Sequence, residues 1–358
     1  MIRVGIDTNA LYVTQAGTAR YIRGLLKGFT QIAAPDFEII PLAWEVGNFN
    51  YRQPQRALKT IYRELVWAKF HAPRLLKKYN AKLLHATAGP LIWPPPRIKE
   101  IVTLHDLAIL RRPERFRPWH RTSARRRLQN LHRADRIICI SRFTADEAMA
   151  LLNLPAAKLT VIHNGCDFHP DESPAEIKPG FNIPSDFFLF VGSLEPGKNL
   201  ALLKEVYTLS EAEKRRLPPL LIVGARWEGV GNEGTPPRDW HYLGRQPDEA
   251  LVYLYRRARA LVFPSKYEGF GLPVAEAMAL GCPVICSPVA SLPEIGGDAA
   301  MFTDMTPATY LHAMLRLGHE GGLRDELIEK GFTQAARFSW RKCAGEVLEI
   351  YRSALSAN

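Results

Sequence analysis

The chain has 358 residues, which is enough for two domains at roughly 100–200 residues each. Hydrophobic residues make up 47% and charged residues 23%, a composition that excludes a disordered or low-complexity chain. The net charge is +11 but is unevenly distributed: residues 1–168 contain 27 Lys/Arg and 12 Asp/Glu, and the remainder contains 20 and 24. The first half is therefore expected to bind an anionic partner, which could be nucleic acid, an acidic membrane surface or a phosphorylated substrate.

The N-terminal residues and the cysteines favour a cytoplasmic protein. MIRVGIDTNAL (1–11) lacks the long apolar stretch of a signal peptide, and no window reaches the roughly 18 apolar residues of a membrane span. The five cysteines are scattered in apolar runs, and Cys282 and Cys286 lack further ligands at metal spacing. We therefore expect buried, reduced thiols.

In the first half, short apolar runs alternate with segments of helical spacing. Helices are predicted at 21–29 and 118–133, and Thr144 with Glu147 forms the capping box of a further helix. The alternation predicts parallel βαβ units. The predicted strands are IRVGI (2–6), KLLHA (82–86), EIVTL (100–104) and RIICI (136–140).

The alternation stops after residue 168 and later restarts. The Pro-rich residues 169–186 predict a linker. We therefore predict an α/β protein with Rossmann-like domains at 1–168 and 187–338 and a terminal amphipathic helix within 339–358. Strands of the second domain are predicted at FFLFVG (187–192), LLIVG (220–224), ALVFP (260–264) and PVICS (283–287).

The loop GSLEPGKN (192–199) nearly matches the P-loop pattern G-x4-G-K-[ST] between a strand and a helix. Glycines let backbone N–H groups approach a phosphate, and Lys198 adds a positive charge. Asn199 replaces the hydroxyl that would hold Mg²⁺, and Pro196 lacks an N–H, so we predict a metal-free diphosphate site. A tight structural turn is the alternative. GVGNEG (229–234) is followed by prolines and is interpreted as a flexible loop.

The segment ALVFPSKYEGFGLPVAEAMALGCPVICS (260–287) predicts a strand, a Gly-rich turn and a helix. Glu268 lies in the turn and Glu276 on the helix, and the amides of residues 270–272 are expected to face a ligand. Carboxylates accept charge-assisted hydrogen bonds from hydroxyls, so the pair suits a ligand with an anion in its middle and hydroxyls at both ends. Two surface glutamates are the alternative.

This segment resembles the E-x7-E signature of retaining glycosyltransferases of family 4, which have the GT-B fold. The resemblance covers nearly the whole chain and implies two Rossmann-like domains facing a central cleft, with the terminal helix crossing back to the first. The other matching segments are GTARYIRGLL (17–26), VTLHDL (102–107), ADRIICISRFTADE (134–147), KLTVIHNGCD (158–167), FLFVGSLEPGKNL (188–200), SLPEIGGDAA (291–300) and the final helix with its FSW start (338–355).

The resemblance also implies residue roles. Lys198 would neutralise the diphosphate leaving group, Glu268 would hold the hydroxyls of the donor sugar, and Glu276 would bind the ribose. His105 would lie beside the transferred sugar, with Asp106 towards the acceptor; these two, Lys198 and Glu268 form the predicted catalytic set. The other predicted donor-binding residues are Gly17, Ser193, Gly269, Phe270, Gly271 and Leu272.

Two departures from the family pattern remove positive charge from the predicted phosphate site. Ser193 and Gly197 stand where the family often has arginine, and we consider Arg20 and Arg142 as replacements.

The resemblance implies transfer of a hexose, with retention, from a nucleotide diphosphate sugar to a hydroxyl of a glycan or lipid-linked acceptor. The branch resembled often uses GDP-mannose, and its products are cell-surface polysaccharides or glycolipids. No D-x-D pair occurs in the sequence, so no metal or other cofactor is expected. A P-loop ATP- or phosphate-binding enzyme and a GT-B-fold sugar-nucleotide epimerase are the alternatives.

Residues 111–136 contain ten arginines and only two acidic residues, with Phe116 and Trp119 interleaved. Our hypothesis is that this face contacts anionic lipid at the inner face of the cytoplasmic membrane, or a lipid-diphosphate acceptor. A solvated helix with snorkelling arginines is the alternative. The chain carries no nucleic-acid recognition motif, so nucleic acid is not expected as a partner.

Overall fold

A computed structural model of the chain describes residues 1–13, 17–44, 59, 62–116, 118–166, 168, 183–226 and 235–356. The chain divides into two compact units, one made of Met1–Gly165 with Ser339–Asn358 and the other of Cys166–Phe338. Most of the expected linker (169–186) and all of the loop 229–234 lie outside the described residues.

The first unit contains a six-stranded parallel sheet. Its strands are β1 (Ile2–Asp7), β2 (Phe37–Leu42), β3 (Leu83–Ala86), β4 (Lys99–Leu104), β5 (Arg136–Cys139) and β6 (Leu159–Val161). Across the sheet their order is β2-β1-β3-β4-β5-β6, so the direction of winding reverses between β1 and β3.

The helices of this unit connect successive strands. A π-helical segment, Arg63–His71, runs directly into the third of them, and short 3-10 turns lie at Pro113–Arg115, Asn130–Arg133 and Ala156–Lys158. The α-helices are α1 (Ala10–Val13), α2 (Gly17–Thr30), α3 (Ala72–Lys78), α4 (Ala108–Arg111), α5 (Pro118–Gln129) and α6 (Arg142–Leu152).

The second unit repeats this plan. Its strands are β7 (Phe188–Val191), β8 (Leu220–Val223), β9 (Trp240–Gly244), β10 (Ala260–Phe263), β11 (Val284–Cys286) and β12 (Ala300–Phe302). They form a parallel sheet in the order β12-β11-β10-β7-β8-β9, so the winding reverses between β7 and β10. Its helices are α7 (Leu200–Ala212), α8 (Asp248–Arg257), α9 (Leu272–Ala279), α10 (Leu292–Gly296), α11 (Pro307–His319) and α12 (Leu323–Ala335), with 3-10 turns at Pro196–Lys198 and Gly297–Ala299.

Alternating side chains of the first sheet pack on opposite faces, as the two-residue period of a strand requires. Ile101 and Ile138 join a buried cluster with residues of α2, whereas Val102 and Ile137 join another with residues of α6. Both faces are thus covered, which explains why the predicted strands are near-continuous apolar runs. All eight runs predicted as strands contain a strand of the structure.

The sequence prediction missed β2, β6, β9 and β12, which are all edge strands. An edge strand has one neighbour and is less completely buried, so its apolar pattern is weaker. In β2 the residue Pro41 interrupts the run, and in β9 the side chains of His241 and Tyr242 are exposed.

The predicted capping box at Thr144 is wrong by three residues. Helix α6 begins at Arg142, and its N-cap is Ser141, whose Oγ accepts a hydrogen bond from the Thr144 amide at 3.1 Å. Glu147 lies in the second turn of the helix, where it is buried and forms an ion pair with Arg111 at 2.5 Å.

The terminal helix, α13 (Trp340–Ser356), packs on α2 in the first unit, which confirms the predicted return of the chain. The contact depends on glycines in α2. A Cβ at Gly24 would lie 2.0 Å from Cε2 of Trp340, and one at Gly28 would lie 2.3 Å from the Trp340 carbonyl oxygen. Among the described residues, no helix combines the length and apolar character needed to cross a bilayer.

Gly24→Ala should therefore destabilise the protein by about 2 kcal/mol, because the added methyl group overpacks the indole. The control is Gly345→Ala in α13, where the new Cβ would lie 3.8 Å from Ile32. There the helix propensity of alanine should stabilise the protein by up to about 1 kcal/mol. Urea unfolding measures both changes, and equal effects would contradict this account of the contact.

Candidate active site

The loops at the winding reversal of the second sheet contain two of the predicted site residues. Lys198 follows β7 and Glu268 follows β10, and these strands are hydrogen-bonded neighbours. In open parallel sheets, ligands gather at the carboxyl ends of the strands where the winding reverses, because the loops there diverge and leave a crevice. The position of the loops therefore marks this edge as a candidate binding site.

The structure brings Lys198 and Glu268 into direct contact. The Nζ atom of Lys198 donates to Oε1 of Glu268, and the two side chains are only 16% and 12% exposed. The ammonium also lies 5.2 Å from the ring centroid of Phe263 at the end of β10. A backbone hydrogen bond from Lys266 to the Gly197 carbonyl, at 2.8 Å, ties the two loops together. A positive and a negative group thus sit side by side with little water around them.

The loop that carries Lys198 is a capped 3-10 turn. Glu195 is its N-cap and accepts a hydrogen bond from the Gly197 amide at 2.8 Å through Oε2. The Lys198 amide donates to the Glu195 carbonyl, and the Asn199 amide donates to the Pro196 carbonyl. These three N–H groups have partners within the turn, so the turn offers the Lys198 side chain, rather than a backbone cradle, to an anion.

The turn after Glu268 is oriented by Ser291. The Ser291 Oγ lies 3.1 Å from the Glu268 carbonyl oxygen and 2.8 Å from that of Phe270. In a trans peptide the N–H points opposite to the C=O, so the amides of Gly269 and Gly271 point away from Ser291. Gly271 is the N-cap of α9 with φ 102°, a conformation that favours glycine.

Phe270 contributes to this turn differently from its neighbours. Its side chain is buried and packs edge-on against Phe338 with a centroid distance of 5.5 Å. Only its backbone therefore remains for the donor-binding role predicted from the sequence.

Glu276 lies on α9 and is 3% exposed. Its Oε2 accepts a hydrogen bond from the hydroxyl of Tyr255, on α8, at 3.1 Å. A buried carboxylate is costly unless hydrogen bonds compensate for its lost hydration. Tyr255 therefore holds this carboxylate in one orientation.

The first sheet has a similar constellation where its winding reverses between β1 and β3. Asp7 ends β1 and is buried, and its Oδ1 accepts hydrogen bonds from the amide and the side chain of Asn9 at 3.0 and 2.7 Å. Thr87 follows β3 and donates through its hydroxyl to the Asp7 carbonyl. His105 follows β4, and its Nε2 lies 2.7 Å from the Thr87 carbonyl oxygen.

These contacts determine the protonation state of His105. A carbonyl oxygen only accepts hydrogen bonds, so Nε2 carries the proton and Nδ1 is left as an acceptor. Burial lowers the pKa of His105, and this outweighs the opposing effects of the Thr87 hydrogen bond and the Asp106 charge. The imidazole is therefore neutral near pH 7.

The other predicted first-unit residues lie in several elements. Asp106 is exposed, and its Oδ1 accepts a hydrogen bond from the Ala108 amide at 2.9 Å at the start of α4. Gly17 begins α2, and Arg20 lies one turn further along it. Arg142 begins α6 and lines a cavity of about 340 Å³ together with Met149 and residues of β6. In the second unit, Ser193 is half-buried in the loop after β7.

Sequence reasoning missed four residues that shape these sites: Asp7, Thr87, Tyr255 and Ser291. Asp7 and Thr87 each follow a predicted strand directly, so the rule that ligands gather at the carboxyl ends of parallel strands could have identified them. Tyr255 and Ser291 act through contacts to residues 21 to 23 positions away, for which the sequence carries no local signal.

Two family models match the chain. Residues 17–169 match the model described as Glycosyltransferase Family 4, and residues 174–334 match the model described as Glycosyl transferases group 1. Together the two matches cover most of the first unit and most of the second.

A curated relative matches over most of its length. An O-antigen chain mannosyltransferase B of Escherichia coli is 35% identical over 293 residues, which are 77% of this chain and 76% of the relative.

Solved structures match across the whole chain. Sucrose-phosphate synthase from Thermosynechococcus elongatus has a TM-score of 0.77 at 19% identity and full coverage of both chains. HepE from Anabaena, solved in complex with UDP and glucose, has a TM-score of 0.70 at 15% identity, covering 99% of this chain and all of that one. These likenesses confirm the GT-B fold.

The chain belongs to glycosyltransferase family 4, as the two family models and the mannosyltransferase relative show. It is a nucleotide-sugar-dependent hexosyltransferase, so the class of enzyme predicted from the sequence is confirmed.

Tyr255→Phe should lower the free energy of unfolding by about 2 kcal/mol, because it removes a hydrogen bond to the buried Glu276 carboxylate. Tyr253→Phe on the same helix is the control, since it keeps the ring over which the Arg257 guanidinium lies at 5.2 Å. The comparison uses urea unfolding at pH 7. A Tyr255→Phe protein as stable as the control would show that the hydroxyl does not stabilise Glu276.

Proposed function

We propose that this enzyme transfers a mannosyl residue, with retention, from a nucleotide diphosphate mannose to a hydroxyl of a growing cell-surface polysaccharide or glycolipid. The sugar and the product class rest on the mannosyltransferase relative, which is named for the O-antigen chain. The chemistry rests on one observation, the contact between Lys198 and Glu268 at the winding reversal of the second sheet.

This pair suits a glycosyl donor because a donor carries both charge and hydroxyls. When the bond between sugar and diphosphate breaks, negative charge develops on the leaving group, and a fixed ammonium stabilises it. The carboxylate accepts strong hydrogen bonds from sugar hydroxyls. A bound diphosphate would replace Glu268 as the partner of Lys198, which frees the carboxylate for the sugar.

Further donor contacts are proposed for the other residues predicted from the sequence. Glu276 accepts hydrogen bonds from the ribose, and the amides of Gly269, Gly271 and Leu272 face the diphosphate at the start of α9.

His105 keeps its predicted role beside the transferred sugar, where the neutral Nδ1 accepts a hydrogen bond from a hydroxyl. Arg20 and Arg142 remain candidates for the positive charge that Ser193 and Gly197 do not supply.

We propose that transfer needs no metal ion. The ammonium of Lys198 supplies the positive charge that a divalent cation supplies in metal-dependent transferases. Asn199, which stands where a P-loop has its metal-binding hydroxyl, instead adopts a left-handed conformation with φ 58° that links the 3-10 turn to α7.

The partners and location that we propose follow from charge and thiol chemistry. The arginine-rich residues 111–136 would bring the enzyme to the anionic inner face of the cytoplasmic membrane or to a lipid-linked acceptor. All five cysteines are buried free thiols, and burial raises the pKa of Cys139 and Cys282 to about 12. Free thiols fit a reducing compartment, so we propose a cytoplasmic enzyme that does not bind nucleic acid.

Lys198→Ala should reduce kcat/KM by about 10²-fold or more, because the transition state loses its charge-stabilising group. Lys330→Ala is the control, since it removes a lysine that is paired with Glu326 on the exposed surface of α12. Initial rates with a mannose donor and the free energy of unfolding should be measured together. A folded Lys198→Ala enzyme with near-normal kcat/KM would remove Lys198 from the mechanism.

Turnover should persist in excess EDTA, and sugar should be moved to a second substrate. A P-loop ATP-dependent enzyme would stop in EDTA, and an epimerase would change the sugar nucleotide without any acceptor. A thermal-shift panel of UDP-, GDP-, ADP- and dTDP-sugars followed by product analysis makes the distinction. A GDP-sugar should give the largest shift, and a shift with ATP alone would contradict the proposed donor.

A further inference from the structure

A chain of buried hydrogen bonds crosses the first unit next to His105. The Tyr351 hydroxyl, on α13, lies 2.7 Å from Nδ1 of His85, and Nε2 of His85 lies 2.8 Å from Oγ1 of Thr103. The same Oγ1 lies 2.9 Å from the hydroxyl of Tyr21 on α2. All four side chains are at most 1% exposed, so no water competes for these bonds.

The buried chain acts through hydrogen-bond geometry rather than through charge. Burial, with a smaller contribution from the nearby His105, lowers the pKa of His85 to about 3, so His85 is neutral near pH 7. One of its nitrogens then donates and the other accepts. With either His85 nitrogen as the donor, the hydroxyl protons can be placed so that all three bonds of the chain are kept.

The chain lies on the face of the sheet from which His105 projects. Thr103 and His105 are two positions apart along β4 and its extension, as are His85 and Thr87 along β3, so each pair shares a face. His105 bonds the Thr87 carbonyl, and the ring of Tyr21 contacts it edge-on, with a centroid distance of 5.0 Å and an interplanar angle of 83°. The hydroxyl of Tyr21 is fixed by Thr103.

We propose that His85 and Tyr351 are positioning residues for His105. Through Thr103 and Tyr21 they hold its imidazole in the orientation in which Nε2 bonds the Thr87 carbonyl, and thereby in one tautomer. The catalytic part of this inference rests on the proposed role of His105 beside the transferred sugar. Held in this way, His105 keeps its proton on Nε2 and presents Nδ1 as a hydrogen-bond acceptor.

The alternative is that the four residues only fill space. Apolar residues would fill the core at a lower cost in stability, because each buried polar group that lacks a hydrogen-bond partner lowers the free energy of unfolding by about 1–3 kcal/mol. Replacing tyrosine by phenylalanine separates the two explanations, since the ring and its packing remain and only the hydroxyl is lost.

The test uses Tyr351→Phe, Tyr21→Phe and the double variant in the full-length enzyme. Tyr207→Phe is the matched control, because the hydroxyl of the buried Tyr207 donates a part-buried 2.6 Å hydrogen bond to the Pro218 carbonyl in the second unit. The first readout is ¹⁵N NMR of histidine-labelled protein, with the His105 signals assigned by His105→Gln. The second is the donor KM and kcat of each variant.

We expect wild type and Tyr207→Phe to show His105 as a single Nε2-protonated tautomer. Each network variant should show a mixture of tautomers, with kcat lowered about tenfold and donor KM unchanged, because a slightly misplaced group costs rate more than binding. The double variant should be no slower than the slower single variant, since both substitutions break one chain.

An unchanged His105 spectrum in both single variants would overturn the proposal, whatever happens to kcat. Independent, multiplying effects on kcat in the double variant would also overturn it. If the tautomer changes but His105→Gln keeps full activity, positioning is supported and the proposed role of His105 in transfer fails instead. The Lys198→Ala result is independent of all these outcomes.

Discussion

Strict parallel pairing of the strands is the constraint on which both candidate sites depend. In each sheet every strand runs in the same direction, so every loop that follows a strand emerges at one edge. In the second unit this places Lys198 and Glu268, which are 70 residues apart in sequence, within hydrogen-bonding distance. In the first unit it places Thr87 beside His105. A few polar residues suffice for each candidate site, because the parallel topology places residues that are far apart in sequence at the same edge of the sheet.

Much of the fold could be predicted from the sequence because interior parallel strands are buried on both faces. Runs such as 187–192 and 260–264 contain almost only apolar residues, and both contain strands of the structure. The edge strands β2, β6, β9 and β12 could not be found in this way, because one side of each is unpaired and its residues are less completely buried. The helix start at Ser141 was misplaced because Thr144 and Glu147 mimic a capping box, whereas tertiary contact with Arg111 determines where Glu147 points.

The candidate site was predictable in its residue types but not in its contacts. The motifs identify Lys198, Glu268 and Glu276, yet no sequence pattern states that Lys198 pairs with Glu268 or that Tyr255 holds Glu276. The contacts of His85 were even less predictable, because nothing in the apolar run 82–86 distinguishes it from an ordinary strand residue. Its importance depends on Tyr351, which is 266 positions away.

The return of α13 to the first unit also has a consequence for biosynthesis. Seven residues of this helix, including Trp340, Leu348 and Tyr351, belong to the buried cluster that also contains Val4 and Ile6 of β1. The ribosome makes β1 before the whole second unit and α13 after it. The second unit can therefore fold as a continuous segment during translation, while the apolar surface of α2 stays uncovered until residues 340–356 emerge. A nascent chain paused before residue 340 would expose that surface to chaperones.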